Sequence, residues 1–409
     1  MTGTIFHIDA NSAYLSWEAA YRLSLGEKPD LREIPSVVGG DASKRKGIVL
    51  AKSGLAKIAG VHTGQSLFEA RSLCRGLVVV PPNYELYFSC SDAMMECLGH
   101  FSGRIERFSV DECFMAYDTG DPSGTAYEIK EKIKRELGFT VNVGVSSCKL
   151  LAKMASELQK PDRVHTLFRE EIPSKMWPLP VEELFMVGSR TGKKLRQYGI
   201  ETIGGLAGTS CGFLESVFHS HGRMIWEYAN GIDRSTVKQE TRAPKGIGNS
   251  TVTPFDVETG QDASLYILSL SEMVGARLRH IGMMCRTVSV SFRNAGHGGG
   301  ARQHTFFSST DSTDEIYATA MGLFMQIWDG QPLRHFGVAV GSLDSCGIYQ
   351  KCIFDGPSAE KKRKLDRSID GIRERYGKES LKRASFIQSR INGMNGGICE
   401  DYPMMTSLL

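Results

Sequence analysis

Asp111 and Glu112, adjacent acids inside the apolar segment Phe108-Ser109-Val110-Asp111-Glu112-Cys113-Phe114, are the residues of this chain best placed to do chemistry. Ionised carboxylates are costly to bury unless they are paired, hydrogen-bonded or bound to a cation, so an acidic pair among β-formers asks for a partner. A third acid, Asp9, closes the apolar run Ile5-Phe6-His7-Ile8. If the two segments meet, oxygen ligands gather at one sheet edge. That set suits Mg²⁺, which takes one or two carboxylates and completes its octahedron with water and phosphate oxygens. Two such ions can activate a hydroxyl and stabilise both oxygens of an in-line phosphoryl displacement, which is nucleotidyl-transfer chemistry. The structural alternative is that Asp111 and Glu112 cap a hairpin and Asp9 opens a helix, a common use of short acidic residues.

The elements that must position these acids follow a recognisable order. Residues 1–30 read as a strand and then a helix through Ala13-Tyr14-Leu15-Ser16-Trp17-Glu18-Ala19-Ala20, closed by Gly26 and Pro29. Residues 31–77 form a small basic unit carrying Lys44, Arg45, Lys46, Lys52 and Lys57. Val78-Val79-Val80 restarts the strand pattern, a helix spans Tyr84 to Leu98, and the carboxylate segment reads as the next strand. A helix from Ala126 to Leu137 leads to a strand over Thr140–Ser146. Strand, helix, strand, hairpin partner, helix, strand is the ferredoxin-like order, with the basic unit inserted after the first helix. Such a sheet brings Asp9 and Asp111 onto neighbouring strands.

Composition bounds the rest. A chain of 409 residues exceeds one core and predicts three or four domains. Its ten cysteines form no C-x-x-C pair or zinc spacing, no apolar run reaches the ~18 residues of a spanning helix, and no cationic leader is visible. We therefore expect a cytoplasmic protein that does not enter a membrane. Net charge is +3, and residues 350–409 hold twelve Lys and Arg against eight Asp and Glu, so the remainder is close to neutral. Any nucleic-acid surface must be a local patch.

Ile8-Asp9-Ala10-Asn11, Ser109-Val110-Asp111-Glu112, and Gly144-Val145-Ser146-Ser147-Cys148-Lys149-Leu150-Leu151-Ala152-Lys153-Met154-Ala155-Ser156 with Lys160-Pro161 resemble the signature segments of the Y-family, DinB/UmuC-like translesion DNA polymerases. The resemblance implies an α+β multidomain right hand. Its ferredoxin-like palm would be residues 1–30 and 78–168, its small fingers 31–77, its helix-hairpin-helix thumb 169–233, a linker 234–244 and an α+β little finger 245–347. It further implies that Asp9, Asp111 and Glu112 hold two Mg²⁺, assisted by the carbonyl of Ala10. Tyr14 would be a steric gate against the ribose 2′-hydroxyl, and Lys57 and Lys160 would contact the dNTP triphosphate. Three positions depart from the family pattern: Gly54 replaces a phosphate-binding tyrosine, Cys148 an asparagine, and Ala13 a frequent phenylalanine.

Downstream, Pro180–Leu195 and Tyr198-Gly199-Ile200 read as two short helices around a glycine turn. This resembles the family's helix-hairpin-helix, with Gly188, Gly192 and Lys193 as DNA-phosphate contacts. Alternating strands at 246–253, 287–293 and 335–340, and helices at 263–279 and 313–328, resemble the little finger, with Arg293 among its candidate DNA contacts. Gln350, Ile353 and Phe354 are similar to a bacterial sliding-clamp-binding peptide, or else belong to a last edge strand. A basic helix runs from Lys361 to about Tyr376 within a tail of 348–409.

Together these readings predict a monomeric, template-directed DNA polymerase. It would add dNTPs to a primer 3′-hydroxyl on primer-template DNA, in low-fidelity translesion synthesis and repair, with the clamp as partner. The alternatives are a catalytically weakened DNA- and clamp-binding repair factor, a metal-dependent nucleotidyl cyclase, and a polymerase active only within a multiprotein complex.

Overall fold

The computed structural model describes residues 3–41, 47–238, 244–296, 298–345, 357–387, 389–391 and 393. They fall into two compact units, in essence 3–40 with 48–238, and 244–393. Along the first unit run β1 (Thr4–Ala10), α1 (Ala13–Ser24), β2 (Ser36–Gly39), β3 (Val49–Lys52), α2 (Gly54–Ile58), α3 (Leu67–Leu73), β4 (Val78–Val80) and α4 (Tyr84–Gly99). Then come β5 (Ile105–Arg107), β6 (Glu112–Tyr117), α5 (Pro122–Leu137), β7 (Val141–Ser146), α6 (Lys149–Glu157) and β8 (Val164–Thr166).

The main sheet has the order β5-β6-β1-β7-β8, in which β1 is flanked on both sides by antiparallel neighbours. With α4 and α5 as crossovers, this is the ferredoxin-like arrangement expected from the sequence, extended by β8. Strand alternation divides β1 between two faces. Phe6 and Ile8 enter the core with Trp17, Tyr87, Met94, Met115 and Ile129, while His7 and Asp9 face the side on which α6 packs.

Two strand expectations need correction. Val78–Val80 does not join the main sheet; it pairs in parallel with β2 in a separate sheet of order β3-β2-β4. Three consecutive valines mark a strand but carry no information about which sheet receives it. Phe108–Asp111 is not strand either. The N–H groups of Phe108 and Ser109 both donate to the Glu112 carbonyl, at 3.0 and 3.1 Å, so these residues form the hairpin turn between β5 and β6. Glu112 opens the strand and Asp111 belongs to the turn.

Residues 169–233 continue with α7 (Ser189–Gln197), α8 (Ile203–Ala207), α9 (Cys211–Phe218) and α10 (Ser220–Ala229) around a core of Leu195, Ile203, Leu206, Leu214 and Ile225. Leu150, Leu151 and Met154 of α6 share that core, so α6 is clamped between it and the sheet.

The second unit contains β9 (Gly246–Val257), α11 (Gly260–His280), β10 (Met283–Asn294), β11 (Gly299–Thr310), α12 (Thr313–Ile327), β12 (Leu333–Ser345) and α13 (Pro357–Tyr376). Its sheet has the order β11-β10-β12-β9, and Tyr266 of α11 stacks on Phe336 of β12 at 5.4 Å. The described part of the 348–409 tail is anchored to this unit. Arg279 bonds Asp366 and Asp370, Asp366 accepts the N–H of Thr313, and Phe386 and Ile391 enter the core. The break expected at residue 347 therefore does not coincide with an edge of the packing.

Candidate active site

Backbone register pairs two of the acids, and the turn sets Asp111 next to them. Asp9 stands directly opposite Glu112 across the β1–β6 pair, which puts both side chains on one face. The N–H of Ala10 donates to the Asp111 carbonyl at 2.9 Å and fixes the turn beside the end of β1. Ser109 Oγ donates to Asp111 Oδ1 at 2.5 Å. Capping a hairpin and gathering at the site are thus not alternatives, because the turn is what delivers Asp111.

The three carboxyl groups sit in different fields. Burial pushes Asp9 up to about 6, because Lys160 only partly offsets the desolvation and the repulsion of Glu157 and Glu112. Burial also raises Asp111, and the charge of Glu112 adds to it. For Glu112 burial acts upward too, but His7 and Lys153 outweigh it and bring it down to about 2. Lys153 Nζ bonds Glu112 Oε2 and Lys160 Nζ bonds Asp9 Oδ2. On Lys160, burial works against the charged form, but the Asp9 and Glu157 carboxylates hold its value above the ordinary one.

This donor set fits a hard divalent cation in kind. It is all oxygen and desolvated, and burial keeps Asp9 and Asp111 raised despite the nearby lysines. Among the described residues no three His, Cys, Asp or Glu side chains converge as a ready-made metal cluster; the two lysines hold Asp9 and Glu112 instead.

Tyr14 lies on α1, and burial, with the charge of Asp111 adding to it, raises its hydroxyl. Its ring stacks on Tyr87 at 4.6 Å and meets Tyr84 edge-on at 6.2 Å, so the candidate gate is braced from behind. Lys57 is exposed in the last turn of α2 and, among the described residues, has no ion-pair partner. Gly54 opens the same helix, one turn before it, and a Cβ there would meet nothing within 4 Å among the described residues. At Cys148 the expected asparagine cap of α6 is missing, yet the Leu150 N–H is satisfied at 2.9 Å by Asp233.

Away from the acids, Gly188 caps α7 with no side-chain bond, leaving the first amides of that helix free of intrahelical acceptors. The first element of the expected helix pair is only a 3₁₀ turn, Val181–Glu183. Lys193 is exposed on α7. Gly192 is a correction: its N–H already donates to the Gly188 carbonyl, and a Cβ there would lie 2.4 Å from Glu182. It is a packing glycine. Arg293, in the second unit, is exposed near the end of β10. Gln350, Ile353 and Phe354 lie outside the described residues.

Three residues escaped the sequence reading. His7, Lys153 and Ser156 form the inner wall behind Glu112. For His7 the available signal was strand alternation, which puts it on the face of Asp9, whereas Lys153 and Ser156 lie in the quoted signature segment and were given no role there.

The comparisons with known proteins agree with this geometry. Residues 8–157 match the impB/mucB/samB family, 169–200 the IMS family HHH motif, and 244–351 the impB/mucB/samB family C-terminal domain. The chain is 42% identical to DNA polymerase IV of Clostridium acetobutylicum, over 95% of this chain and 99% of that protein. It is 36% identical to DNA polymerase IV 2 of Bacillus subtilis, over 94% of each chain. The solved Y-family DNA polymerase chimera Dbh-Dpo4(243-245)-Dbh superimposes with a TM-score of 0.73 at 18% identity, covering 83% of this chain and 98% of that one, which speaks to the fold. A carboxylate-bearing βαββαβ sheet, family matches in all three segments, and near full-length relatives lead to one assignment: the chain belongs to the impB/mucB/samB family, the Y-family DNA polymerases.

Proposed function

We propose that this chain extends a primer 3′-hydroxyl on a DNA template with dNTPs, releasing pyrophosphate, in low-fidelity translesion synthesis during repair. The observation that carries the reading is the pairing of Asp9 with Glu112 and of Ala10 with Asp111 at one end of two strands. When bound, a pair of Mg²⁺ held by Asp9, Asp111, Glu112 and the Ala10 carbonyl supplies Lewis-acid activation and charge neutralisation at the α-phosphate. The chain's own residues do the rest. Tyr14 excludes a 2′-hydroxyl, Lys160 and Lys57 bind the triphosphate, and the first amides of α7 hold a DNA phosphate without reading sequence.

The palm would be 1–30 and 78–168, less β4, which goes with the fingers at 31–77. The thumb is 169–233 and the little finger starts at 245 and includes α13. A monomer acting in the cytoplasm with a bacterial sliding clamp completes the reading. Gly54 favours a second one, a repair factor with weakened catalysis. The cyclase alternative gains nothing from relatives that match through the helix-hairpin-helix and the C-terminal domain.

Primer extension with Mg²⁺ and dNTPs decides between the first two. The intact chain extends, and Asp111→Ala abolishes extension while DNA binding persists. DNA binding without incorporation by the intact chain would leave the repair-factor reading standing.

A further inference from the structure

Behind Glu112 sits a buried histidine to which nothing above gives a task. His7 is fully enclosed. Its Nδ1 lies 2.8 Å from Ser156 Oγ on α6, and its Nε2 lies 3.1 Å from Glu112 Oε2, close but poorly aligned, with no other partner among the described residues. The ring also packs on Phe114 at 4.7 Å, so it cannot swing toward another acceptor without breaking that contact. A histidine kept only for packing would have both nitrogens satisfied or would be replaced by an apolar residue, since an orphaned buried polar atom is costly.

We propose that His7 is a positioning residue for Glu112: pinned by Ser156, it presents an Nε2–H that orients the Glu112 carboxylate for the metal. The inference rests on the reading of Glu112 as a metal ligand.

The hydrogen-bond chemistry fixes the tautomer. An ionised carboxylate only accepts, so the nitrogen facing it must carry the proton and Nδ1 must accept. Ser156 can serve as that donor, at the expense of its 2.8 Å contact with the Lys153 carbonyl. The same turn of α6 sends Lys153 to the same Glu112 oxygen. His7 and Lys153 therefore approach Oε2 together and leave Oε1 as the oxygen for a cation. Partners that orient a ligand in this way typically matter by roughly 10–100-fold in metal affinity.

The test uses Mn²⁺ as probe, titrated into the metal-free full chain without DNA and followed by the EPR signal of free ion. His7→Phe, which fills the space without a donor, is expected to weaken Mn²⁺ binding about tenfold or more. His7→Gln, whose Nε2 can stand where the imidazole Nε2 stands, restores most of it. Wild-type affinity in His7→Phe overturns the proposal. A second measurement needs no variant: ¹⁵N spectra of the metal-free protein should show His7 protonated on Nε2, and protonation on Nδ1 alone overturns it. Glu112→Gln is the control. If it leaves Mn²⁺ affinity unchanged, the metal-ligand reading itself has failed and takes the positioning role with it.

Discussion

Replacing Gly144 by alanine tests how β7 and α6 hold the site together. Gly144 is the register partner of His7, and α6 crosses β7 at this point so closely that a Cβ would lie 1.9 Å from the Ala152 carbonyl oxygen and 2.5 Å from the Ser156 nitrogen. Both atoms are backbone and cannot rotate away. Restoring van der Waals distance needs a retreat of α6 by roughly 1.5 Å. The helix is not free to make it, because Leu150, Leu151 and Met154 are buried in the helical core on its other side. Overpacking normally costs about 1–3 kcal/mol, and a collision with two backbone atoms belongs at or above the top of that range. At roughly 2–4 °C per kcal/mol for a unit of this size, the first unit should melt about 6–12 °C lower. The displaced helix carries Lys153 and Ser156 and leads to Lys160, so primer extension should fall by about 10²-fold, the cost typical of a misplacement near 1 Å. Calorimetry and single-nucleotide extension measure the two effects, with Gly54→Ala, where the added methyl meets open space, as the permissive control. A Gly144→Ala protein that melts within 2 °C of the wild type (roughly 1 kcal/mol or less) and extends normally would refute the account of α6.

Three further outcomes are expected. Gly54→Tyr should lower KM for dNTP by roughly 10–100-fold, as one hydrogen bond to a charged phosphate contributes roughly 1.5–3 kcal/mol; an unchanged KM in a well-folded variant would mean the glycine is not a lost phosphate contact. Asp9 has a folded value of about 6 against 3.8 for the free group, so its contribution is full below 3.8 and lost as pH rises through 6. Without metal, the wild type should thus gain about 3 kcal/mol over Asp9→Asn between pH 7 and 3.5 in urea unfolding, and parallel curves would contradict it. Arg279→Leu strands the buried Asp366 and should cost the second unit about 3–5 kcal/mol; a calorimetric transition left in place would argue that the tail is not held there.

What could be read from the chain divides along physical lines. Asp9, Asp111 and Glu112 stood out because an acid in an apolar run violates the local pattern, and such violations are visible one residue at a time. The hairpin turn at 108–111 did not, because Phe108, Ser109 and Val110 have the composition of a strand and only the double donation to the Glu112 carbonyl makes them a turn. β11 was missed for the opposite reason: Gly299–His304 lacks any alternation, and its register with β10 supplies the pairing that its composition does not. The anchoring of α13 was equally hidden, since Lys361 to Arg375 reads as a solvated basic face until Arg279 and Asp311 are seen to meet Asp366 and Arg363.

The same division explains the site. Residues that bind a cation must break the apolar pattern and so announce themselves, whereas those that aim them can be ordinary. His7 sits in β1 as one polar residue among apolar ones, with nothing in its neighbours to tell a core histidine from a working one. Ser156 is a small residue on a helix, and Lys153 resembles any surface cation. Their meaning lies in His7 and Lys153 closing on one carboxylate oxygen while Ser156 pins the histidine, which β1, β6 and α6 bring about only once the sheet has formed. Gly54 is the converse case, where one missing side chain is plain in the sequence. Its consequence is set by whether the space around it is open, and a Cβ there has no neighbour within 4 Å among the described residues. A first side-chain carbon at Gly54 therefore fits without rebuilding, and the Gly54→Tyr variant decides whether the glycine costs a contact with the nucleotide.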